Sequence, residues 1–381
     1  MSKPITVIEP VPANGAARTA APETCGEPIL VVQEVYKKGR EAFFNAALPG
    51  PVLPVPSGEA DLARCVRKSG ARAVILGIQR YEGALYESFK EGGLLARFGV
   101  GVDGLDLARA RDRGIVVTNT PGVLENSVAE LVLWLMGCLA RRIPQHQESW
   151  RRGCPSTPES GVELHGKRLG LIGFGRIARR VARAASLGLG MSVNAFGRHS
   201  LEELSAASAM DPQSWLEAQH IASYTQDIRE LLPRCDFISC HLPLDSATAG
   251  FCDRQFFDHC KPGAYFINTS RAELVNEDDL LAALAAERLR AAALDVSSAE
   301  HGPGLKSPLR DDARILHTPH IGSNTAEANR RMAERALHNV RCFLAGRLDD
   351  LDCVRVSAAS GAPLHRHEEL VAAVPRSWPT L

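Results

Sequence analysis

The first feature of this chain that could bind a ligand is a glycine-rich turn between an apolar run and a helical pattern. The apolar residues 169–172 lead into Gly173-Phe174-Gly175-Arg176-Ile177-Ala178. Gly173 permits a sharp turn, Gly175 leaves room for a pyrophosphate at the backbone, and the following helix directs its first N–H groups at the anion. A GxGxxA pattern also occurs in ordinary strand-to-helix turns, so its meaning depends on the surrounding fold.

Polar residues in apolar surroundings mark the ends of later predicted strands. They are Arg271, Asp295, Glu300 and His320. Each has a structural alternative when taken singly, because an arginine can be solvated, an acid can cap a loop and a histidine can be satisfied within a core. Ligands of parallel α/β sheets bind at the carboxyl ends of the strands, so we expect an arginine, an acid and a histidine to meet in one cleft.

The elements that must position these residues alternate between strand and helix patterns, which predicts an α/β protein with parallel sheets. The first unit has predicted strands at 29–32, 52–55, 73–77, 94–98 and 115–117, with helices at 37–47, 58–69, 83–90 and 104–112. The second has strands at 169–172, 191–196, 235–242, 264–270, 291–296 and 314–320, with helices from 177 and at 253–260 and 277–287. A charged insertion at 199–220 and a loop at 151–163 are also predicted.

Two further helices are predicted outside this alternation. The segment 124–143 is apolar on more than one face, which predicts a core helix that also contacts a second subunit. The helix 324–346 carries the chain away from the second sheet. A short strand at 5–8 is an open alternative within an otherwise aperiodic N-terminal segment.

Bulk composition indicates a globular protein with two cores. The 381 residues are 45% hydrophobic and 23% charged, and 44 basic residues balance 44 acidic ones. This balance predicts no nucleic-acid or membrane partner, and the absence of a signal or spanning pattern predicts a cytoplasmic location. The ten cysteines form no CxxC pair, which favours reduced thiols. A metal site around Cys235, Cys240 and His241 is disfavoured, because these cysteines would face opposite sides of a strand.

Several segments together resemble the D-isomer-specific 2-hydroxyacid dehydrogenases, in particular those that reduce glyoxylate and hydroxypyruvate. The segments are RFGVGVDGLDLARARDRGIVVTNTPG (97–122), the Gly173 turn, NTSRAELV (268–275), ALDV (293–296) and TPHIGS (318–323). The resemblance covers residues 29–350 and implies homodimers with a Rossmann dinucleotide-binding domain inserted into a flavodoxin-like substrate domain. The predicted divisions are a flexible extension (1–28), the substrate domain (29–122), the Rossmann domain (123–320), a returning helix (321–350) and a tail (351–381).

The resemblance also implies residue roles. His320 matches the family's acid/base, Glu300 its hydrogen-bonding partner and Arg271 the clamp for the substrate carboxylate, while Val100 and Gly101 would bind that carboxylate through backbone N–H groups. The implied coenzyme-binding residues are Gly173, Gly175, Arg176, Ile177, Arg198, His241, Thr269, Asp295 and Ser323.

The chain departs from the family pattern near Glu300. Ser297 and Ser298 stand where an aromatic and an acid are usual, and His301 follows Glu300 where the family has proline. His301 is therefore an alternative partner for Glu300.

Coenzyme choice is expected to depend on the residues after strand 191–196. A NAD enzyme would present an acid there, whereas this chain has Gly197-Arg198-His199-Ser200. Arg198 could pair with a ribose phosphate, so NADP(H) is favoured, with NAD(H) open and a plain surface arginine as the alternative.

The sequence therefore predicts a NAD(P)-dependent 2-hydroxyacid dehydrogenase that acts as a 2-keto acid reductase on glyoxylate, hydroxypyruvate or a similar acid. Two alternatives stay open. One is another dehydrogenase on the same frame, of the phosphoglycerate, formate or phosphite type. The other is a dinucleotide-sensing, corepressor-like binding protein.

Overall fold

The chain is represented by a computed structural model that describes residues 26–90, 92–153, 160–298 and 307–354. Within these ranges the chain forms two parallel sheets. The first has the strand order β2-β1-β3-β4-β5, which is the flavodoxin-like order. Its elements are β1 (Ile29–Val32), α1 (Gln33–Lys38), α2 (Arg40–Phe44), β2 (Val52–Val55), α3 (Glu59–Ser69), β3 (Ala73–Leu76), β4 (Gly93–Arg97), α4 (Leu107–Asp112) and β5 (Ile115–Thr118).

The second sheet has the order β12-β11-β10-β9-β6-β7-β8, which is a Rossmann arrangement extended by one strand. Two helices, α5 (Glu125–Ala140) and α6 (Ile143–Arg151), lead into it. Its elements are β6 (Arg168–Ile172), α7 (Arg176–Leu189), β7 (Ser192–Phe196), α8 (Leu201–Ala207), α9 (Pro212–Ala218), β8 (Ser223–Thr225), α10 (Ile228–Leu231), β9 (Phe237–Cys240), α11 (Arg254–His259), β10 (Ala264–Asn268), α12 (Glu277–Ala285), β11 (Leu289–Leu294) and β12 (Ile315–His317), after which α13 (Ala326–Leu344) ends the fold.

The central strands are short runs of Val, Ile, Leu and Ala that are buried along most of their length. This is the pattern of parallel strands covered by helices on both faces. Helix α13 returns to the first sheet, where Met332, Ala336 and Val340 lie in the same core as β1 and β4. The predicted α/β class, with a Rossmann unit following a flavodoxin-like one, is confirmed. The exact domain divisions stay a prediction.

The main differences from the predicted elements are local. The helix predicted at 83–90 is only a 3₁₀ turn at Tyr86–Ser88, and the helix predicted at 37–47 is replaced by α1 and α2. The strand β8 and the helix α6 were not predicted, and the insertion at 199–220 folds into α8 and α9. Both insertion helices begin with side-chain caps, Ser200 and Asp211, which explains how a polar segment forms helices.

Some predictions concern the termini. The strand at 5–8 and most of the two terminal extensions lie outside the described residues. Residues 351–354, assigned to a tail by their composition, instead pack on the first sheet, because Val354 N–H donates to the Val117 carbonyl at 2.9 Å. No helix in the described ranges has the length and apolar character needed to cross a membrane.

Candidate active site in the cleft between the two sheets

The glycine-rich turn lies where the order of the second sheet reverses, between β6 and β9. Gly173 has φ +91°, and a Cβ atom there would lie 2.9 Å from the carbonyl oxygen of His241. A Cβ atom on Gly175 would meet nothing within 4 Å among the described residues. Gly173 is therefore required by the turn itself, whereas Gly175 keeps open the space in front of the first turn of α7.

Two further residues at this edge fit a dinucleotide. In the described part of the chain, the buried hydroxyl of Thr269 has no hydrogen-bond partner. The Nε2 atom of His241 lies 2.9 Å from the Ser239 hydroxyl, and burial lowers the pKa of His241 to about 4, so its ring is neutral at pH 7. A buried hydroxyl without a partner, next to a neutral ring and an open turn, suits a polar ligand that supplies the missing contacts.

The remaining predicted coenzyme residues occupy the same lobe. Arg176 is the exposed first residue of α7, and Ile177 packs against the cores of both sheets. Arg198 is exposed just after β7, and its carbonyl accepts a hydrogen bond from the Gln226 side chain at 2.8 Å. Ser323 follows the loop that carries His320.

Asp295 organises that loop from within. Its carboxylate accepts hydrogen bonds from the Thr318 hydroxyl at 2.6 Å and from the N–H groups of Ile321 and Gly322, both at 2.8 Å. Burial raises the pKa of Asp295 more than these hydrogen bonds lower it. The pKa therefore lies above the usual value for an aspartate. His320 itself has φ +52°, and its N–H donates to the Asp295 carbonyl at 2.9 Å. Asp295 thus fixes the backbone that presents His320.

Arg271 and His320 line one cleft with Gly101, between the carboxyl edges of the two sheets. The structure therefore brings the arginine and the histidine together, while their chemical roles stay predictions. The predicted partner Glu300 lies outside the described residues, so its contact with His320 stays a prediction as well. The cavity measures about 30 Å³, which is enough for roughly one water molecule, so a keto acid requires the lobes or side chains to move apart.

The guanidinium of Arg271 is held on two sides. Its Nε and Nη2 atoms lie 2.9 and 2.8 Å from Oδ1 of Asp103, and Nη1 donates to the Ser270 carbonyl at 2.7 Å. A Cβ atom on Gly101 would overlap Nη2 of Arg271. The clamp therefore lies directly against the backbone of the first lobe.

The backbone loop 98–101 contacts Arg271 through Gly101. Arg97 lies beneath it and donates from Nε to the Gly101 carbonyl at 2.9 Å and from Nη1 to the Phe98 carbonyl at 3.1 Å. In the described ranges no acceptor takes up the N–H groups of Val100 or Gly101. These N–H groups therefore remain available to a carboxylate.

The sequence interpretation missed Arg97 and Asp103. Arg97 is only 8% exposed, and burial, together with the charge of Arg271, lowers its pKa to about 10, so it stays protonated at pH 7. A charged residue ending the apolar strand β4 was the signal for Arg97. Asp103 stands within the quoted GVD motif, where its role could be seen only after its partner was placed.

Comparison with known proteins identifies the family. Residues 133–322 match the model described as "D-isomer specific 2-hydroxyacid dehydrogenase, NAD binding domain". The chain is 34% identical over 250 residues to a hydroxypyruvate reductase of Thermotoga maritima, covering 65% of this chain and 76% of that protein. The chain belongs to the D-isomer-specific 2-hydroxyacid dehydrogenase family.

Two further proteins show the extent of the similarity. A D-3-phosphoglycerate dehydrogenase of Mycobacterium tuberculosis is 36% identical over 259 residues, covering 66% of this chain and 45% of that protein. The chain thus spans about half the length of such curated relatives. A solved protein of Thermus thermophilus superposes with a TM-score of 0.68 at 32% identity, covering 84% of this chain and 97% of that one.

Proposed function

We propose that this protein reduces a small 2-keto acid to the corresponding 2-hydroxy acid with a nicotinamide coenzyme. The observation that carries this proposal is the placement of Arg271, His320 and Gly101, the last residue of the 98–101 loop, around one cleft. A guanidinium and two N–H groups suit a carboxylate, and an imidazole suits a proton transfer near neutral pH.

In this mechanism the chain binds the keto acid and supplies a proton. Arg271 and the N–H groups of Val100 and Gly101 hold the carboxylate, and the imidazolium of His320 donates its proton to the carbonyl oxygen. The family resemblance assigns the orientation of that ring to Glu300, which lies outside the described residues. The Gly173 turn, His241 and Thr269 would hold the nicotinamide coenzyme, which when bound would supply the hydride for the carbonyl carbon.

A second candidate substrate is a phosphorylated 2-keto acid. Arg97 brings a second guanidinium to the cleft beside Arg271, and because Asp103 compensates only one of the two, the cleft keeps a positive charge beyond the clamp's ion pair. A relative named D-3-phosphoglycerate dehydrogenase is consistent with this candidate.

Turnover by the purified full-length chain tests these candidates. NADPH and NADH oxidation should be followed with glyoxylate, hydroxypyruvate and 3-phosphohydroxypyruvate, each over a range of concentrations. The highest kcat/KM identifies the substrate class. Dinucleotide binding without turnover of any 2-keto acid would instead support the corepressor-like alternative.

NADP(H) is the proposed coenzyme, because the loop after β7 presents Arg198 and no acid. The loop is held in place by the Tyr224 hydroxyl, which donates to the His199 carbonyl at 3.0 Å. Arg198→Ala should weaken NADPH binding by roughly tenfold and NADH binding by less than about twofold, since only NADPH carries the extra phosphate. Fluorescence titration of both coenzymes measures this, and equal effects would contradict the assignment.

A homodimer is the proposed assembly. Trp134 on α5 is 72% exposed, and Ile143 and Trp150 on α6 are 50% and 75% exposed. Large apolar side chains clustered on neighbouring helices are typical of a surface covered by a second copy. Light scattering coupled to size-exclusion chromatography measures the assembly.

A further inference from the structure

We infer that Asp103 is a positioning residue, which orients the carboxylate clamp Arg271 from the opposite lobe. This inference rests on the proposed function of the cleft. It assigns to Asp103 a role in substrate affinity that acts through Arg271.

The donor arrangement of Arg271 carries the inference. A guanidinium has five N–H groups. Asp103 accepts a hydrogen bond from Nε and lies 2.8 Å from Nη2 as an ion pair, and the Ser270 carbonyl accepts from Nη1. Among the described hydrogen bonds, this leaves at least one N–H group on each terminal nitrogen, and a bidentate carboxylate contact requires one on each. Asp103 and a substrate carboxylate can therefore bind the same guanidinium at the same time.

The charges of the cleft support the same role. Burial alone would raise the pKa of Asp103, but the hydrogen bond and positive charge of Arg271 outweigh it, with a smaller contribution from Arg97. The pKa therefore lies below its usual value, and Asp103 is ionised at pH 7. Its charge compensates one of two neighbouring guanidinium groups that would otherwise repel each other.

A simpler role for Asp103 would be to hold the lobes together. The cleft offers a control for this possibility, because Arg80 and Glu273 form a second ion pair between the same two lobes. This pair joins the lobes without contacting the guanidinium of Arg271. Removing one pair at a time separates clamp positioning from lobe attachment.

The experiment compares Asp103→Asn with Glu273→Gln, each in the full-length chain. Asp106→Asn is a second control, because Asp106 lies in the same loop and caps α4, a role that asparagine can also fill. Steady-state kinetics give KM and kcat for the best keto acid. Calorimetry gives the affinity of oxalate, a carboxylate probe that is not turned over, in the presence of coenzyme.

Asp103→Asn should raise KM and the oxalate Kd in parallel by roughly tenfold or more, with a smaller fall in kcat. Both controls should change KM by less than about twofold, and coenzyme affinity should stay constant in all variants. Asp103→Glu, which retains the charge, should recover part of the lost affinity.

Two results would overturn the inference. One is an unchanged KM and oxalate Kd in Asp103→Asn, and the other is an equal loss in Glu273→Gln, which would show lobe attachment. If the wild-type chain turns over no keto acid, the proposed function fails. The oxalate titrations still decide the role of Asp103 in that case.

Discussion

The two lobes contribute to the cleft in different ways. The Rossmann lobe supplies Arg271 and His320, side chains that can hold charge or transfer a proton. The flavodoxin-like lobe supplies the backbone of 98–101 and the charged residues beneath and beside it, Arg97 and Asp103. In the proposed function the groups that bind the carboxylate and transfer the proton therefore come from one lobe, and the surface that orients substrate and clamp comes from the other.

The buried residues that hold the loops of the two lobes in place also differ in charge. On the Rossmann side an acid, Asp295, gathers N–H groups and shapes the loop that presents His320. On the opposite side a cation, Arg97, binds two carbonyl groups of the loop, whose Val100 and Gly101 N–H groups have no acceptor among the described residues. A buried carboxylate thus organises the loop that presents His320, whereas a buried guanidinium organises the 98–101 loop. We expect substitutions in the loop of His320 to lower kcat and those in the 98–101 loop, which lies beside the proposed clamp Arg271, to raise KM.

The largest expected effect is on the Rossmann side, in His320→Asn. Asparagine tolerates the positive φ of this position, so the loop should keep its shape while the proton donor is lost. The kcat should fall by roughly 10² to 10⁴, the usual contribution of a general acid, with little change in KM. Steady-state kinetics measure both constants.

Coenzyme affinity provides the control for His320→Asn. It should match the wild type, because the ring is assigned to the keto acid. An unchanged kcat would remove His320 from the mechanism, and a raised KM at constant kcat would place it with the binding groups of the other lobe.

A smaller effect is expected on the flavodoxin-like side, in Gly101→Ala. The added methyl group would overlap Nη2 of Arg271, so the clamp must shift. A misplacement of about 1 Å can cost roughly 10²-fold, and we expect this loss in KM because Arg271 is assigned to substrate binding. Gly188→Ala is the matched control, since a Cβ atom there meets nothing within 4 Å and should leave the kinetics unchanged.

Gly175→Ala is the reciprocal variant to Gly101→Ala. It adds the same methyl group at the proposed coenzyme turn, where the described structure offers open space. It should therefore raise the Kd of the coenzyme and leave the KM of the keto acid unchanged. If Gly101→Ala instead weakened coenzyme binding, the division of roles between the lobes would be wrong.

The sequence was most informative where function depends on local backbone. The Gly173 turn could be predicted because a positive φ and a close approach to the residue after β9 both demand glycine at that position. Arg271 and His320 could be predicted to converge because the carboxyl ends of parallel strands share an edge. These inferences need only the strand order.

The sequence was less informative where a role depends on a distant partner. The pairing of Asp103 with Arg271 spans 168 positions, and a strand pattern does not show which edge of a guanidinium an acid will take. The helix α6 was missed because its residues show no buried apolar face. At 83–90, in contrast, a helix was predicted that the structure does not have. Its buried Tyr86, whose hydroxyl accepts a hydrogen bond from the Asp106 N–H, is accommodated by a 3₁₀ turn.

The smallest expected effect concerns stability at the coenzyme edge, where His241 is predicted to be neutral. Its pKa is about 4 in the folded chain against about 6.5 when unfolded, so the unfolded chain binds more protons between these pH values. The contribution of His241 to folding is therefore fully present above about pH 6.5 and is lost as the pH falls toward 4. Relative to His241→Gln, the wild type should lose on the order of 1–3 kcal/mol across this window, and urea unfolding at about pH 7, 6, 5 and 4 measures the difference. Parallel stability curves for the two proteins would contradict this prediction, because they would mean that the His241 ring is open to solvent. The ring would then resemble the exposed Arg198 side chain and not the buried hydroxyl of Thr269.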